Sequence, residues 1–497
     1  MQTLTFQLDL CPEVPNVYGA LDYELFREIL IKIDDMLIKG DLEHTLVSQA
    51  LNRYVVDHKL DSQKFYDSKS SDFHYKHLKY LLRCNIARHL SGESYREFSF
   101  RLADSTLYQW FTGISAFSCR KAVSKSTLDR YEKCFNEASL AENIREWLSG
   151  LSHQKQAATI GLTESIDLKQ TWIDSTCLEA NIHFPVDWIL LRDAARSLLS
   201  AIKTIRAKGL KHRMTEPASL MKHINKLCMQ MTHTRRKQDS KKQRKAILRM
   251  MKRLASCIAA HAERYKKLLQ ESWQETAWSE AQVKQVIGRI DNILEQLPQA
   301  IKQAHDRIIG ERQTASCDKI LSFYDKDIEV IVRGKANGEV EFGQRLVLTE
   351  QVDGIIIDWE LCDKQALQDS DLLQPTVNRI EKNYGSLSSV STDRAFASAA
   401  NDEFLENKKI YNATCPKSPA GLQEKVKEPL FMLLQTRRSQ TEGRIGIFKN
   451  VFLGRPLRTR IALNKRHAIN WCVLTHNLWV LARKIMAEEK ERLKKAA

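Results

Sequence analysis

The sequence predicts an α/β core that follows an all-α N-terminal domain and is interrupted, after its first strand, by a long helical insertion. Apolar residues recur at three- and four-residue steps up to residue 150 and again over 187–315, which is the period of amphipathic helices. A run of strand formers at 171–174 separates these regions, and strand-like patterns begin at 319. The predicted parts are 1–150 (helical), 165–187 with 316–485 (α/β), 188–315 (helical, basic) and 486–497 (flexible tail).

Composition narrows the class of partner. A chain of 497 residues with 43% hydrophobic content is too apolar to be mostly disordered, and its net charge of +16 indicates an extended anionic partner, nucleic acid first and an anionic membrane second. We see no run of about 18 apolar residues, and the start MQTLTFQLDL lacks the order of a secretory signal; both favour the cytoplasm. The eleven cysteines contain no C-x-x-C pair, which argues against zinc and disulfides and favours buried thiols.

The N-terminal region holds a candidate DNA-reading helix. Ser94 is predicted to begin one helix, and either Ser124 or Ser126 is predicted to cap another. Exposed side chains on the first turns of that second helix could reach base edges and phosphates, as in a helix-turn-helix; they are Lys125, Ser126, Thr127 and Arg130. A plain helical bundle that supports the α/β core is the alternative.

The insertion is predicted to contain a pair of long amphipathic helices, one with apolar residues from Ile247 to Leu268 and one from Val286 to Leu297, where Pro298 is expected to interrupt it. Its basic runs are His233-Thr234-Arg235-Arg236-Lys237 and Lys241-Lys242-Gln243-Arg244-Lys245. Such runs are either a solvated helix face or a track for the phosphate backbone, whose binding would fall steeply with salt. The apolar stripe could also pack against a second protomer.

The C-terminal α/β part opens with a predicted antiparallel meander, with strand-like runs at 327–332, 344–348 and 355–361. Turns are predicted at Asn337-Gly338 and near Asp353-Gly354. Extended runs at 387–392 and 410–415 follow, alternating with helical stretches, and a long apolar helix around Trp471 ends the part.

Two acids stand where predicted strands end. Asp174 closes the run at 171–174, and Asp393 closes the run at 387–392. Polar residues at a strand's end are available for chemistry, and the two carboxylates could meet if their strands are neighbours. A third acid on an adjacent helix would complete an all-oxygen site, which suits Mg²⁺ or Mn²⁺ rather than zinc.

Glu442 is the candidate for that third acid. On a helix with about 100° per residue, Arg438 lies about 40° from Glu442 and Lys449 about 20° from it, so all three share one face. Such a face could ligate a metal with the carboxylate and hold phosphates with the cations. The alternative is an ordinary i,i+4 ion pair on a solvated helix, worth only ~0.3–0.5 kcal/mol.

The spacing Arg438-x3-Glu442-x6-Lys449 resembles the signature around the catalytic glutamate of DDE transposases from bacterial insertion sequences. The resemblance covers most of 168–480 through four further segments in the same order: Asp174–Asn181 with Phe184–Asp187, Lys335-Ala336-Asn337, Glu341-Phe342-Gly343 and Asp393–Phe396. It implies an RNase H-like fold, a five-stranded mixed sheet flanked by helices. Two features depart from the family: Gln435 replaces the usual Tyr, and the long insertion follows Asp174 instead of preceding Glu442.

The resemblance implies a DNA transposase that cleaves the ends of an element and joins them to target DNA. Asp174, Asp393 and Glu442 would hold two Mg²⁺ (or Mn²⁺) ions, and double-stranded DNA would be the partner. The residues expected to contact the DNA are Arg438, Lys449, Arg394, Lys241, Lys242, Arg244, Lys245, Lys125 and Arg130. A bacterial, nucleoid-associated location, no membrane and a homodimer or larger active complex are expected. A structure-specific metal-dependent nuclease and a domesticated, non-catalytic DNA-binding protein stay open.

Overall fold

A computed structural model describes residues 13–113, 123–234, 239–316, 318–335, 338–363, 367–454, 457, 459 and 461–496. The chain forms two compact units. The first comprises Met1–Leu178, Arg345–Cys362 and Leu367–Ala497, and the second comprises Glu179–Gln344 with Asp363–Ala366. The predicted insertion is thus part of a larger unit that also takes in the start of the meander.

The N-terminal part of the first unit is helical throughout its described residues, in the elements α1 (Leu21–Lys39), α2 (Leu42–Asp57), α3 (Ser62–Tyr66), α4 (Lys69–Ser91), α5 (Tyr95–Asp104), α6 (Thr106–Thr112), α7 (Lys125–Lys133), α8 (Glu137–Leu151) and α9 (Gln154–Thr159). The predicted helix starts are confirmed. Ser94 and Glu97 form a capping box at α5, and the Ser124 hydroxyl accepts from the Thr127 amide at the start of α7, which satisfies donors that a helix leaves free.

The first strand, β1 (Gln170–Glu179), is longer than predicted. Its second half is held because β1 also has β3 as a neighbour in the sheet and because Cys177 and Leu178 are buried. Asp174 therefore lies in the middle of the strand and does not close it.

The second unit contains α10 (Asp187–Arg206), α11 (Pro217–Thr234), α12 (Ser240–Ser272), α13 (Glu280–Ile308), β2 (Glu329–Lys335) and the first half of β3 (Gly338–Glu350). The two long amphipathic helices are confirmed as α12 and α13, and their apolar faces join α10 and α11 in a separate core. The prediction that Pro298 interrupts its helix is wrong, since α13 continues to Ile308. A proline removes one helical hydrogen bond, and buried Leu297 and Ala300 on either side hold the helix in the core.

Several predicted features of this region involve residues outside the described part of the chain. They are Arg235, Arg236 and Lys237 of the first basic run, and Ala336 and Asn337 of the family-like segment and predicted turn.

The C-terminal part consists of β4 (Ile356–Leu361), α14 (Asp369–Tyr384), β5 (Ser389–Thr392), α15 (Ala399–Asn407), β6 (Tyr411–Thr414), α16 (Pro419–Lys425), α17 (Pro429–Ile447) and α18 (Ala462–Ala496). The described strands form a mixed six-stranded sheet in the order β2-β3-β1-β5-β6, with β4 also paired to β3. Pairing is antiparallel for β2–β3 and β3–β4, as predicted for the meander, and parallel for β1–β5 and β5–β6. The structure therefore has the predicted α/β core.

The last helix continues through 486–496, which the sequence assigned to a flexible tail. Its acids have partners: Glu488 accepts from the Thr163 amide at 2.7 Å and Glu489 from Lys32 at 2.7 Å. These contacts and the burial of Ile485 explain why the helix extends beyond its apolar stretch.

The eight cysteines among the described residues are free thiols, but Cys134 and Cys257 are exposed. The expectation of burial is wrong for these two.

Asp187 begins α10 and is buried, with 5% of its surface exposed. Its carboxylate accepts two bonds from Arg307, at 2.9 and 3.0 Å, and one from Gln303 at 2.8 Å, both on α13. Asp187 therefore ties two helices of the second unit together.

We predict that Asp187→Asn lowers the free energy of unfolding by about 1–3 kcal/mol, because an amide cannot accept both guanidinium bonds and leaves the Gln303 amide poorly paired. Thermal and urea melts would measure the loss. The control is Asp193→Asn on the same helix, whose partners Arg192 and Arg196 lie at the surface; it should cost less than about 0.5 kcal/mol. Equal losses of unfolding free energy in Asp187→Asn and Asp193→Asn would contradict a larger stabilising contribution from the buried contacts of Asp187.

Candidate active site

The parallel register of β1 and β5 brings two predicted site acids side by side. Trp172 on β1 pairs with Ser391 on β5, and Asp174 and Asp393 each lie two residues further along their strands. Side chains two residues apart in an extended strand point to the same face. The register alone therefore predicts that the two carboxylates are neighbours on one face of the sheet.

The electrostatics of the pair agree with this placement. Burial, the larger cause, and the neighbouring charge of Asp393 together raise the pKa of Asp174 to about 7, while the Ser175 amide hydrogen bond and Arg438 oppose the shift. Burial also raises the pKa of Asp393. Two like charges in a half-buried position disfavour joint ionisation, so a cation bound between them would relieve the repulsion.

Backbone amides orient both carboxylates. The Ser175 amide donates to Asp174 Oδ1 at 2.7 Å. The Ala395 amide donates to Asp393 Oδ1 at 2.9 Å, and this contact caps a short 3-10 turn at Arg394–Phe396. The local backbone thus orients both aspartates, Asp174 within β1 and Asp393 just after the end of β5.

Glu442 joins this group from α17. Its negative charge raises the pKa of Asp174, and its Oε1 accepts from the Arg438 guanidinium at 3.3 Å. The Arg438 charge lowers the pKa of both Asp174 and Asp393. Arg438 is therefore electrostatically coupled to all three acids, and Glu442, with a side chain 64% exposed, lies on the solvent side of the site.

Lys449 has a different environment from the one predicted. It lies beyond the end of α17, in a π-helical turn at Phe448–Leu453. Its ammonium donates to Cys177 O at 2.6 Å and to Thr176 Oγ1 at 3.1 Å, both on β1. The ammonium is thus engaged with the strand that carries Asp174, and it has a structural contact that spacing alone could not show.

Gln435, at the position where the resemblance expects a Tyr, contacts β5 and β6. Its side-chain amide donates to Thr392 O at 3.0 Å and to Ala413 O. Gln435 thus joins the helix of Glu442 to the ends of β5 and β6.

An ion pair that the sequence did not indicate adjoins the acids. Asp369, in the first turn of α14, accepts from Arg345 at 2.9 Å and from the Ser175 hydroxyl at 2.7 Å. Its charge also raises the pKa of Asp393. An acid in the first turn of a helix is common as a partner of the helix dipole, so nothing in its sequence context distinguishes it as a neighbour of the site.

Among the other predicted DNA-contact residues, Arg394 is exposed and follows Asp393 directly in the chain. Lys125 and Arg130 are exposed on α7, where Arg130 donates to Thr127 Oγ1 at 3.2 Å. Of the residues between α6 and α7, 114–122 fall outside the described part of the chain. The helix-turn-helix stays a prediction.

The basic run of α12 belongs to the second unit. Lys241 and Lys245 pair with Glu311 at 3.5 and 2.9 Å, and the Arg244 guanidinium lies 5.2 Å from the centroid of the Trp188 ring. Lys242 is exposed. Contacts within the unit therefore engage part of this basic run. The prediction that the run binds DNA phosphates rests most directly on Lys242, which is exposed, and on Lys241, whose ion pair with Glu311 is the longer of the two.

The site offers carboxylate oxygens, which are the ligands that hard divalent cations prefer. Burial makes the ionised carboxylates costly, and a bound cation would offset that cost. Within the described part of the chain, no group of three or more His, Cys, Asp or Glu side chains is arranged to hold a metal ion. Asp174, Asp393 and Glu442 are thus close enough to couple in charge without forming a closed cage.

No family model, curated protein or solved structure matches this chain. Among the described helices, none is both long and apolar enough to cross a bilayer.

In the absence of divalent cations, we predict that Asp174→Asn raises the free energy of unfolding at pH 8 by on the order of 2–4 kcal/mol. Between the usual carboxyl pKa of 3.8 and the raised value of about 7, the folded chain binds more protons at Asp174 than the unfolded chain does. Wild-type stability therefore falls as pH rises through this window, and the neutral amide avoids the fall.

Urea unfolding at pH 8 and pH 4.5 would measure this effect, with the larger gain expected at pH 8. Adding Mg²⁺ at pH 8 should narrow the gap, because the cation stabilises only the chain that binds it. Glu406→Gln, at an exposed position of α15, is the control and should change little at either pH. Equal stabilities of wild type and Asp174→Asn at pH 8 would contradict the raised pKa.

Proposed function

We propose that the chain is a DDE-type DNA transposase with an RNase H-like catalytic core. The observation that carries the proposal is that Asp174 on β1 is electrostatically coupled both to Asp393, which follows the neighbouring parallel strand β5, and to Glu442 on α17. The sequence motifs identify the three acids without reference to the fold, so the coupling of Asp174 to the other two is independent support.

The sheet also supports the RNase H-like proposal. The sheet has six strands, of which β2 lies wholly in the second unit. The other five, β1, β3, β4, β5 and β6, include both parallel and antiparallel pairs. α17 packs on β5 and β6, and α14 and α18 pack on β4. A five-stranded mixed sheet with flanking helices is what the resemblance implies.

In the proposed reaction, Asp174, Asp393 and Glu442 would hold Mg²⁺ or Mn²⁺. Bound there, the metal supplies Lewis-acid activation of the attacking and leaving oxygens in phosphoryl transfer. The Ser175 and Ala395 amides orient the two aspartates, so little rearrangement is needed when the site is used.

Arg438 supplies the cation beside the acids. Its planar guanidinium, now donating to Glu442, can also make two parallel bonds to a DNA phosphate. The proposed sequence is hydrolysis at the element ends, followed by attack of the freed 3′-hydroxyls on target DNA. The net positive charge of the chain suits a double-stranded DNA substrate.

We predict that Asp174→Asn, Asp393→Asn and Glu442→Gln each abolish Mg²⁺-dependent cleavage while leaving DNA binding nearly intact. An amide keeps the shape of the carboxylate and loses the charge that holds the cation. The assay is cleavage of labelled duplexes that carry the DNA flanking the gene, beside a binding titration at fixed salt. Cleavage retained by one variant would remove that residue from the site.

The same preparation separates the alternatives. Pre-cut ends with free 3′-hydroxyls should be joined to a plasmid by a transposase, whereas a structure-specific nuclease would cut and not join. A domesticated DNA-binding protein would do neither.

A second prediction concerns Arg438. Arg438→Ala should slow single-turnover cleavage by about 30- to 1000-fold, the equivalent of ~2–4 kcal/mol of lost transition-state stabilisation. Arg438→Lys should also be slow, because an ammonium keeps the charge but not the two-pronged contact. The melting curve of Arg438→Lys should change little, because the ammonium keeps the positive charge beside the acids, so its slower cleavage cannot come from unfolding. Arg492→Ala, exposed on α18, is the control, and wild-type rates in both Arg438 variants would refute the role.

A further inference from the structure

The helix that carries Glu442 is held to the sheet mainly by polar contacts. α17 has 19 residues, and the buried ones are Phe431, Leu434 and Thr441. Most surface helices of globular proteins are fixed by a broad apolar stripe. A helix with so little buried apolar surface needs other contacts to fix its rotation about its own axis and its position on the sheet. Glu442 can ligate a metal beside the aspartates only if both are fixed.

Glu350, the last residue of β3, provides that means. Its carboxylate is 4% exposed. One oxygen accepts from Thr441 Oγ1 at 2.6 Å and from Arg437 at 2.7 Å, and the other lies 3.5 Å from Arg444 Nη1. Three side chains of one helix thus meet a single buried carboxylate.

Arg437 makes further contacts that limit its movement. The Arg437 guanidinium also donates to Gln351 O and Val352 O, both at 3.0 Å, and lies 4.8 Å from the centroid of the Trp172 ring. The Trp172 indole in turn donates to Leu434 O of α17 at 2.9 Å. This part of the helix is therefore tied to β1 and to the end of β3 at once.

Arg444 packs where only a glycine allows it. A Cβ at Gly354 would lie 1.4 Å from Arg444 Nη1, and Gly354 has φ +89°. The tight turn after β3, predicted from Asp353-Gly354, therefore leaves the space in which the guanidinium reaches Glu350.

The spacing of the three contacts relates them to the catalytic face. Arg437, Thr441 and Arg444 lie at i, i+4 and i+7 and share one helix face, whereas Arg438 and Glu442 each follow a member of that set by one residue. One residue turns about 100° around a helix. When the first face is fixed on Glu350, the direction of Glu442 is fixed as well.

We propose that Glu350 is a positioning residue, which holds α17 in the rotation that presents Glu442 to Asp174 and Asp393. The inference rests on the proposed function in that it takes Glu442 to be a metal ligand. Glu350 itself does not act on substrate, since its oxygens are committed to Thr441, Arg437 and Arg444 inside the protein.

Thr441→Val is the test variant, because valine keeps the shape and β-branching of the buried threonine and removes only the hydroxyl that donates to Glu350. Thr441→Ser restores a hydroxyl. Thr436→Val is the matched control, since Thr436 is an exposed residue of the same helix and donates to Met432 O. Glu350→Gln removes the charge at the centre of the cluster.

Two measurements are needed. Hydrogen–deuterium exchange over α17 reports whether the contacts with Glu350 hold the helix. Titration of Mn²⁺ by electron paramagnetic resonance reports whether the three acids are aligned, without requiring any reaction. Thr441→Val should speed exchange over 437–447 and weaken Mn²⁺ affinity by about 10-fold, in the range known for residues that orient metal ligands. Thr441→Ser should recover most of the slow exchange and most of the Mn²⁺ affinity, and Thr436→Val should match wild type in both. Glu350→Gln should speed exchange and weaken Mn²⁺ affinity more than Thr441→Val does.

The outcomes separate the two proposals. Unchanged exchange in Thr441→Val and Glu350→Gln would overturn the positioning role. So would faster exchange with unchanged Mn²⁺ affinity, because the contacts would then not reach Glu442. If wild type and Asp174→Asn bind Mn²⁺ equally poorly, the metal-dependent function fails, and Glu350 can then no longer be called a positioning residue for a metal ligand even where exchange shows that it holds α17.

Discussion

The candidate site depends on one constraint, the parallel register of β1 against β5. Carboxylates that repel each other do not stay together unless the backbone forces them to, and here the register that pairs Trp172 with Ser391 puts Asp174 and Asp393 each two residues beyond that pair. Burial raises the pKa of both groups, and the charge of Asp393 adds to the rise at Asp174. Around the pair, Arg438 offsets the charge, and the Ser175 and Ala395 amides fix the oxygens. Local instability of this kind is typical of functional sites, where strain or repulsion is held by the surrounding structure.

The first unit surrounds this arrangement with one continuous core. α18 packs on α1, α4 and α8 as well as on β4, so the N-terminal helices and the sheet share buried side chains. Buried polar groups make the joint specific: the Trp359 indole donates to Asn470 on α18 at 2.7 Å, and Asn477 exchanges hydrogen bonds with both backbone groups of Ile356. The N-terminal helices are thus part of the scaffold of the site, whether or not α7 also reads DNA.

The long chain segment between β1 and the middle of β3 forms its own core of four helices. A segment that buries its own apolar faces can be large without contributing side chains to the first core. This explains how Asp174 and Asp393 can be neighbours although 219 positions separate them in the chain. Only a short stretch of chain joins Asp393 to Glu442. The helix that carries Glu442, α17, is held on the sheet by contacts with Glu350, Gln435 and Trp172.

The amino-acid sequence by itself determined the element types, because apolar periodicity reports which face of a helix or strand is buried. It also selected Asp174, Asp393, Glu442 and Arg438, since their motif order is a property of the chain. Tertiary structure decided the rest. The length of β1, the continuation of α13 past Pro298 and the helical tail of α18 depend on distant neighbours that outweigh local signals. The partners of Lys449 and the roles of Glu350 and Asp369 could not be read from sequence either, because an acid in a turn or a first helical turn looks the same whether it is solvated or buried against a guanidinium.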